Sequence, residues 1–202
     1  MPNWCENQVD FTGPKEEIVK LHQAVETANL NNYVSPIPIA LTEVNDVSAD
    51  NTSRPDLEKM IKFGHSDWYS WCVQNWGTKW EISDAQCHED PYPIDTEDGP
   101  WTFVAYFTSA WSPPTGIYET LYERGIEVSA TFFEPGCDFV GGFKGGKEET
   151  YVASEFRSGG VPENLISDWN LEEFFEKELD EVQEWYQDGV NDLKIGDAVD
   201  TN

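Results

Sequence analysis

Polar and apolar residues alternate from Gln8 to Thr12, the two-residue period of a half-buried strand, and Gly13-Pro14 stops the run. A helix is predicted from Lys15. Ile18, Leu21, His22 and Val25 fall on one helical face, and Glu16 and Glu17 occupy the first turn, where the backbone dipole favours anions. Between residues 30 and 66 the pattern loses its period. Ser35-Pro36-Ile37-Pro38 forbids a helix there, and the polar run Asn45 to Ser53 marks an exposed loop before Asp56-Leu57-Glu58-Lys59-Met60-Ile61, so this stretch is expected to be an insertion. Asp67 is placed to cap a short helix through Trp68, Trp71, Cys72 and Gln74 that ends at Asn75-Trp76-Gly77.

Further on, Lys79 to Cys87 and the aromatic run Trp101 to Thr108 are predicted strands. Ser112-Pro113-Pro114 has the form of a helix start, because proline is tolerated in the first turn; Ile117, Tyr118 and Leu121 give that helix its apolar face and Gly125 ends it. Glu127 to Phe133 returns to strand, Glu134-Pro135-Gly136 turns, and Asp138 to Phe143 is expected to form a hairpin with Glu149 to Ser154, Lys144 sitting at its glycine-rich tip. From Asn170 to Asp188, Leu171, Phe174, Phe175, Leu179, Val182 and Trp185 or Tyr186 approximate a 3.6-residue period.

With the 30–66 insertion set aside, the order is β-α-β-β-α-β, then a hairpin and a helix. The expected fold is therefore α+β: a ferredoxin-like split βαβ antiparallel sheet with an inserted helical segment, a β-hairpin and a C-terminal acidic helix. The expected division is a domain over 1–155 and an acidic helical extension over 156–202 packed on it. A length of 202 residues suits one domain with such an appendage.

Charge narrows the functional classes. Asp+Glu number 39 against Lys+Arg 12, a formal net charge of -27, which opposes direct binding of nucleic acid and favours a partner with a basic surface. Solubility alone also accounts for an acidic surface. Two acidic groups are the candidate partner-binding residues: Glu89, Asp90, Asp95, Glu97 and Asp98 in a proline-rich loop, and Glu172, Glu173, Glu176, Asp180 and Glu184 on the C-terminal helix. No Lys or Arg occurs from Trp80 to Glu123, so the loop carboxylates lack local counterions.

The start of the chain has no cationic or apolar leader pattern, and no stretch approaches the roughly 20 apolar residues of a membrane span, so a soluble cytoplasmic protein is expected. Cys5, Cys72, Cys87 and Cys137 include no CxxC pair, which fits reduced thiols better than a disulfide framework, although one bridged pair stays open. Neither a metal nor another cofactor is expected, because His22, His65 and Cys87-His88 have no partners at ligand spacing. Gly141-Gly142-Phe143-Lys144-Gly145-Gly146 lacks the Ser/Thr and following helix of a phosphate loop.

The densest cluster of unusual residues is Trp68-Tyr69-Ser70-Trp71 with Asn75-Trp76-Gly77-Thr78-Lys79-Trp80. If buried, the indoles are core and their N–H groups need acceptors, for which Asn3, Asn7, Glu134 or Ser112 would serve. If exposed, rings flanking Lys79 offer a stacking platform for a base or other planar ligand. The core reading is preferred, since a platform exposes apolar area that small proteins normally hide.

Four ordered motifs, Pro2-Asn3-Trp4-Cys5-Glu6-Asn7, Asn75-Trp76-Gly77-Thr78-Lys79-Trp80, Ala110-Trp111-Ser112-Pro113-Pro114 and Phe133-Glu134-Pro135-Gly136, with Phe139 and Gly141, resemble the family of phage and plasmid proteins described by a YubB ferredoxin-like domain. The resemblance covers about residues 1 to 155. It implies a bacterial mobile-element accessory protein, a setting in which small acidic proteins often block host defence by imitating DNA. By motif match it marks Asn3, Trp4, Asn7, Trp76, Gly77, Thr78, Lys79, Trp80, Trp111, Pro113, Pro114, Glu134 and Gly136 as signature positions.

The leading expectation is a non-enzymatic protein that binds a basic host protein, such as a defence nuclease or another nucleic-acid-binding factor, through its carboxylates. The alternative is a small-molecule or nucleotide binder, or an enzyme, with a pocket near Asn3, Trp4, Asn7, Trp76, Lys79, Trp80, Trp111 and Glu134. An accessible Lys79 would favour the pocket. Burial of Lys79 in a salt bridge with Glu134 or Asp84 would make the cluster framework.

Overall fold

The computed structural model describes residues 3–42, 57–180 and 185. Two compact units divide the chain, Met1–Tyr151 and Val152–Asn202. The first is built on a seven-stranded antiparallel sheet in the order β2 (Ser83–Cys87), β4 (Trp101–Ala110), β1 (Trp4–Gly13), β5 (Glu127–Glu134), β6 (Phe139–Lys144) and β7 (Lys147–Val152), with β3 (Tyr92–Pro93) pairing with β4 off this path.

Strand β1 (Trp4–Gly13) alternates as its sequence demands, with Cys5, Asn7, Val9 and Phe11 buried on one face and Glu6, Gln8, Asp10 and Thr12 on the other. Helix α1 (Lys15–Glu26) follows Pro14, and its predicted face is the buried one: Ile18, Leu21, His22, Ala24 and Val25. Short helices α2 (Leu30–Val34), α3 (Ile39–Thr42) and α4 (Leu57–Phe63) come next. Residues 36–38 are non-helical, as the prolines require. The predicted loop over Asn45 to Ser53 lies outside the described residues.

The expected insertion is not set apart from the core at its start: Leu30, Val34 and Leu41 belong to the main apolar cluster with α1 and the sheet. Glu81 explains how so short a helix as α2 is held. Its carboxylate accepts the Asn31 and Asn32 N–H groups at 2.7 and 2.8 Å, and Arg124 donates to the Val34 carbonyl at 2.8 Å. Both ends of α2, which would leave unpaired backbone groups, are thus met by side chains from elsewhere in the unit.

Helix α5 (Trp68–Trp76) begins as predicted, with the Asp67 carboxylate accepting the Ser70 N–H at 2.8 Å, and stops at Gly77 in the left-handed region (φ 84°). Strand β2 (Ser83–Cys87) is shorter than the predicted Lys79 to Cys87. Residues 79–82 stay a loop, and the strand itself is irregular: Asp84 has φ 49° and the ladder to β4 shifts register between Ser83 and Gln86.

Strands β3 (Tyr92–Pro93) and β4 (Trp101–Ala110) follow, then α6 (Thr115–Glu123) and β5 (Glu127–Glu134). Across β1 and β4, Phe11 faces Phe103 and their rings stack at 5.2 Å, while His22 of α1 meets Phe103 edge-on at 5.2 Å. This is the centre of the core, where helices cover one face of the sheet. Strand β6 (Phe139–Lys144) and β7 (Lys147–Val152) make the hairpin; β7 starts two residues before the predicted Glu149, because Gly145 and Gly146, at φ 59° and 74°, form a tight turn by themselves.

The second unit has a 3₁₀ turn over Ala153–Ser158, helix α7 (Glu163–Asp168) and helix α8 over 171–180. Within it Phe156 stacks on Phe175 at 5.6 Å and Arg157 faces Glu176 at 3.7 Å. The predicted helix from Asn170 begins one residue later, Asn170 itself having φ 45°, and its part beyond 180 lies outside the described residues except Trp185, which is helical.

Candidate functional site

Both acidic groups face solvent wherever they are described. Glu89, Asp90, Asp95, Glu97 and Asp98 are all exposed on the loops around β3, in the first unit. The expectation that this loop lacks counterions needs correcting for Glu97, which meets Lys15 of α1 at 3.8 Å; that ammonium also sits 3.8 Å from the Trp101 ring centroid. Glu89 lies 3.8 Å from its neighbour His88. Glu172, Glu173, Glu176 and Asp180 are exposed on α8 in the second unit, and Glu184 lies outside the described residues. Lys177 and Asn170 hydrogen-bond Glu173 and hold its carboxyl below the usual range.

The tryptophan motifs divide between framework and surface. Trp71 and Trp76 are buried, in contact edge to face at 5.9 Å, and the Trp76 indole N–H donates to the Ser35 carbonyl at 2.8 Å. That acceptor comes from the 30–42 segment, not from Asn3, Asn7, Glu134 or Ser112 as expected. Trp4, Trp68, Tyr69 and Trp111 are instead 37–41 % exposed, and Trp80 is half-buried. They gather where β1 begins and β4 ends, beside the 77–82 loop and the start of α5.

Lys79 is the centre of this group. Its ammonium lies 4.5 Å from the ring centroids of both Trp80 and Trp111 and 5.6 Å from that of Tyr69. Trp4 meets Trp80 at 6.4 Å and Tyr69 meets Trp111 at 6.4 Å. Among the described residues no carboxylate lies within ion-pair distance of Lys79, so the bridge to Glu134 or Asp84 does not form. The sequence pointed to Lys79, Trp80, Trp111 and Trp4 but not to Tyr69 as a ring on the ammonium. The spacing on α5 carried that signal: Cys72 and Trp76 are buried at i,i+4, whereas Tyr69 and Val73, at the same spacing one face over, are exposed.

A chain of hydrogen bonds, buried from Tyr118 to Ser109 and partly buried beyond, leads to the loops that carry the rings. Tyr118 donates to Asn7 Oδ1 at 3.0 Å; Asn7 Nδ2 donates to the Cys5 carbonyl and to Ser109 Oγ, both at 2.9 Å. Ser109 donates to the Ser112 carbonyl at 2.8 Å, and Ser112 Oγ donates to the Gly77 carbonyl at 2.5 Å. Thr78 ties the same loop to the Ala110 carbonyl at 2.9 Å. Trp111, whose φ of 70° is costly for a bulky residue, is held by its N–H donating to the Asn3 carbonyl at 2.9 Å. The core side chains Asn7 and Tyr118 therefore fix the two loops that carry Lys79 and Trp111.

Glu134 and Asn3 belong to framework too. Glu134 is buried and its carboxylate accepts the Gly136 and Cys137 N–H groups of the following turn. Asn3 lies over Gly136 so closely that a Cβ there would stand 2.4 Å from Asn3 Nδ2, and Asn3 Nδ2 also lies 3.5 Å from Cys137 Sγ. All four cysteines are free; burial pushes Cys72 and Cys87 up to about 11 and raises Cys5 as well, so these three thiols stay protonated at neutral pH. Among the described residues no group of three or more His, Cys, Asp or Glu is placed to hold a metal ion, and no helix is long and apolar enough to cross a membrane. No protein-family model, no curated protein and no solved structure matches the chain.

Proposed function

We propose that this is a non-enzymatic bacteriophage or mobile-element accessory protein that binds a host protein bearing a basic surface, a nuclease or another nucleic-acid-binding factor, in the bacterial cytoplasm. The observation that carries the reading is the surplus of negative charge, -27, together with the exposure of every carboxylate in the 89–98 loop. Such a surface draws a basic partner by long-range attraction and competes with DNA for it, while repelling nucleic acid itself. The mobile-element setting comes from the resemblance to the YubB ferredoxin-like family. Strand order β2-β4-β1-β5, antiparallel throughout, with helical connections from β1 to β2 and from β4 to β5, supports the ferredoxin-like form of the fold.

The test is capture from bacterial lysate by the intact protein and by the variant Glu89→Lys/Asp90→Lys/Asp95→Lys, followed by competition with duplex DNA for each captured protein. A partner that duplex DNA displaces, and that the variant does not hold, supports the reading. Partners held equally by both forms and indifferent to DNA contradict it.

A further inference from the structure

A half-buried ammonium without a carboxylate is out of place in a chain where acids outnumber bases 39 to 12. Lys15, Lys20 and Lys177 each lie within 4 Å of a glutamate, and Lys62, Lys144 and Lys147, which form no ion pair among the described residues, are exposed; Lys79 is half-buried against three ring faces with no counter-charge among the described residues. Of the rings around it, Tyr69 and Trp111 are exposed at about two-fifths of their surface and Trp80, like Lys79 itself, is half-buried, so apolar ring surface reaches solvent beside the charge.

We infer that this cluster is a binding site for a planar aromatic anion, a base or aromatic ring carrying a phosphate or carboxylate. Its ring stacks on the exposed indoles of Trp4 and Trp111 and its anionic group pairs with Lys79. Three features favour it. Stacking supplies affinity that any planar ring can use, and the ammonium selects those with a negative charge beside the ring. The hydrogen-bond chain from Tyr118 through Asn7, Ser109 and Ser112 to Gly77 fixes the loops in advance, so little ordering is needed on binding. The protein's net charge opposes long polyanions but leaves a small anion free to meet one local cation, which points to a free small molecule and away from a nucleic-acid strand. The site is separate from the acidic loop, and its existence does not depend on the partner-binding reading.

The experiment titrates the intact protein with AMP and with indole-3-carboxylate, using adenosine and indole as neutral counterparts and a 5′-phosphorylated oligonucleotide as the polymeric source of the same chemistry. Amide and indole N–H resonances are followed by NMR. At least one of the two anions should bind saturably by millimolar concentration, shifting the indole signals of Trp4, Trp80 and Trp111 and leaving those of buried Trp71 and Trp76 in place. Lys79→Gln should weaken that binding about tenfold or more, in line with loss of a charge-assisted contact, and Lys79→Arg should restore most of it. The neutral counterpart and the oligonucleotide should bind more weakly than the free anion. Failure of both anions to bind, binding that survives Lys79→Gln, or shifts centred away from these rings overturns the inference. A preference for the oligonucleotide over AMP does so as well, as does a response of the rings only to a protein partner.

Discussion

Replacing Asn7 by alanine removes the buried side chain that joins Tyr118 of α6 to Ser109 of β4, from which hydrogen bonds run on to the site loops, and the structure sets the size of the effect. Asn7 is 2 % exposed and makes three short hydrogen bonds, to the Cys5 carbonyl, to Ser109 Oγ and from the Tyr118 hydroxyl. Losing its two donated bonds costs about 1 kcal/mol each, and the fully buried Tyr118 hydroxyl left without an acceptor costs about 1–3 kcal/mol more. The sum is about 3–5 kcal/mol, a large share of the stability of a typical domain. The assay is urea unfolding followed by fluorescence and circular dichroism, with Tyr118→Phe and the double variant completing a cycle. Tyr118→Phe alone should cost about 1–2 kcal/mol, and the pair should be less than additive by a similar amount, because the phenylalanine removes the stranded hydroxyl. An Asn7→Ala cost under about 1 kcal/mol, or strict additivity, would refute the claim that these groups form one buried unit.

Three further outcomes follow from local geometry. Asp67→Ala should cost about 1 kcal/mol in urea unfolding by uncapping α5, and Asp67→Asn should recover most of it; equal losses in both would deny the cap. Gly116→Ala should cost about 1–3 kcal/mol, since the added Cβ would stand 2.4 Å from the Asn75 carbonyl oxygen where α6 crosses the end of α5; a neutral result would mean that the helices separate freely. Burial raises the Glu81 carboxyl above its usual range in spite of the Asn31, Asn32 and Ile82 N–H groups it accepts. The folded state therefore holds that proton more tightly than the unfolded chain, and this group's contribution declines as pH rises from the ordinary glutamate value through the raised one. The urea midpoint of the wild type should accordingly gain more than that of Glu81→Gln on acidification through that window, and parallel pH profiles would contradict the assignment.

Much of this architecture is legible in the chain because the local signals agree with the tertiary ones. Alternation marks β1, the Ile18, Leu21 and Val25 stripe marks α1, and Asp67 and Gly77 bracket α5, each residue having the same preference alone as in the fold. What stayed hidden depends on contacts between distant segments. Nothing near Glu81 in sequence says that it will cap α2, some 50 residues away, or that Asp84 will adopt φ 49° and the β2 ladder shift register there. The tryptophans show the limit most clearly. Trp76 and Trp80 sit four residues apart in one motif, yet Trp76 is buried and Trp80 half-exposed, because the helix ends at Gly77 and the chain turns outward. Composition supplied an indole cluster around a lysine; only the packing separates the rings that hold the fold from those that reach solvent.

The proposed attraction of a basic partner rests on the exposed carboxylates of the first unit. The decisive measurement is the salt dependence of affinity for a purified, DNA-competing partner, compared between the wild type and the charge-reversed loop variant. Wild-type affinity should fall steeply with added salt and the variant's much less, since screening acts on fewer attractive charge pairs. Parallel slopes, or a wild-type affinity that ignores ionic strength, would contradict it.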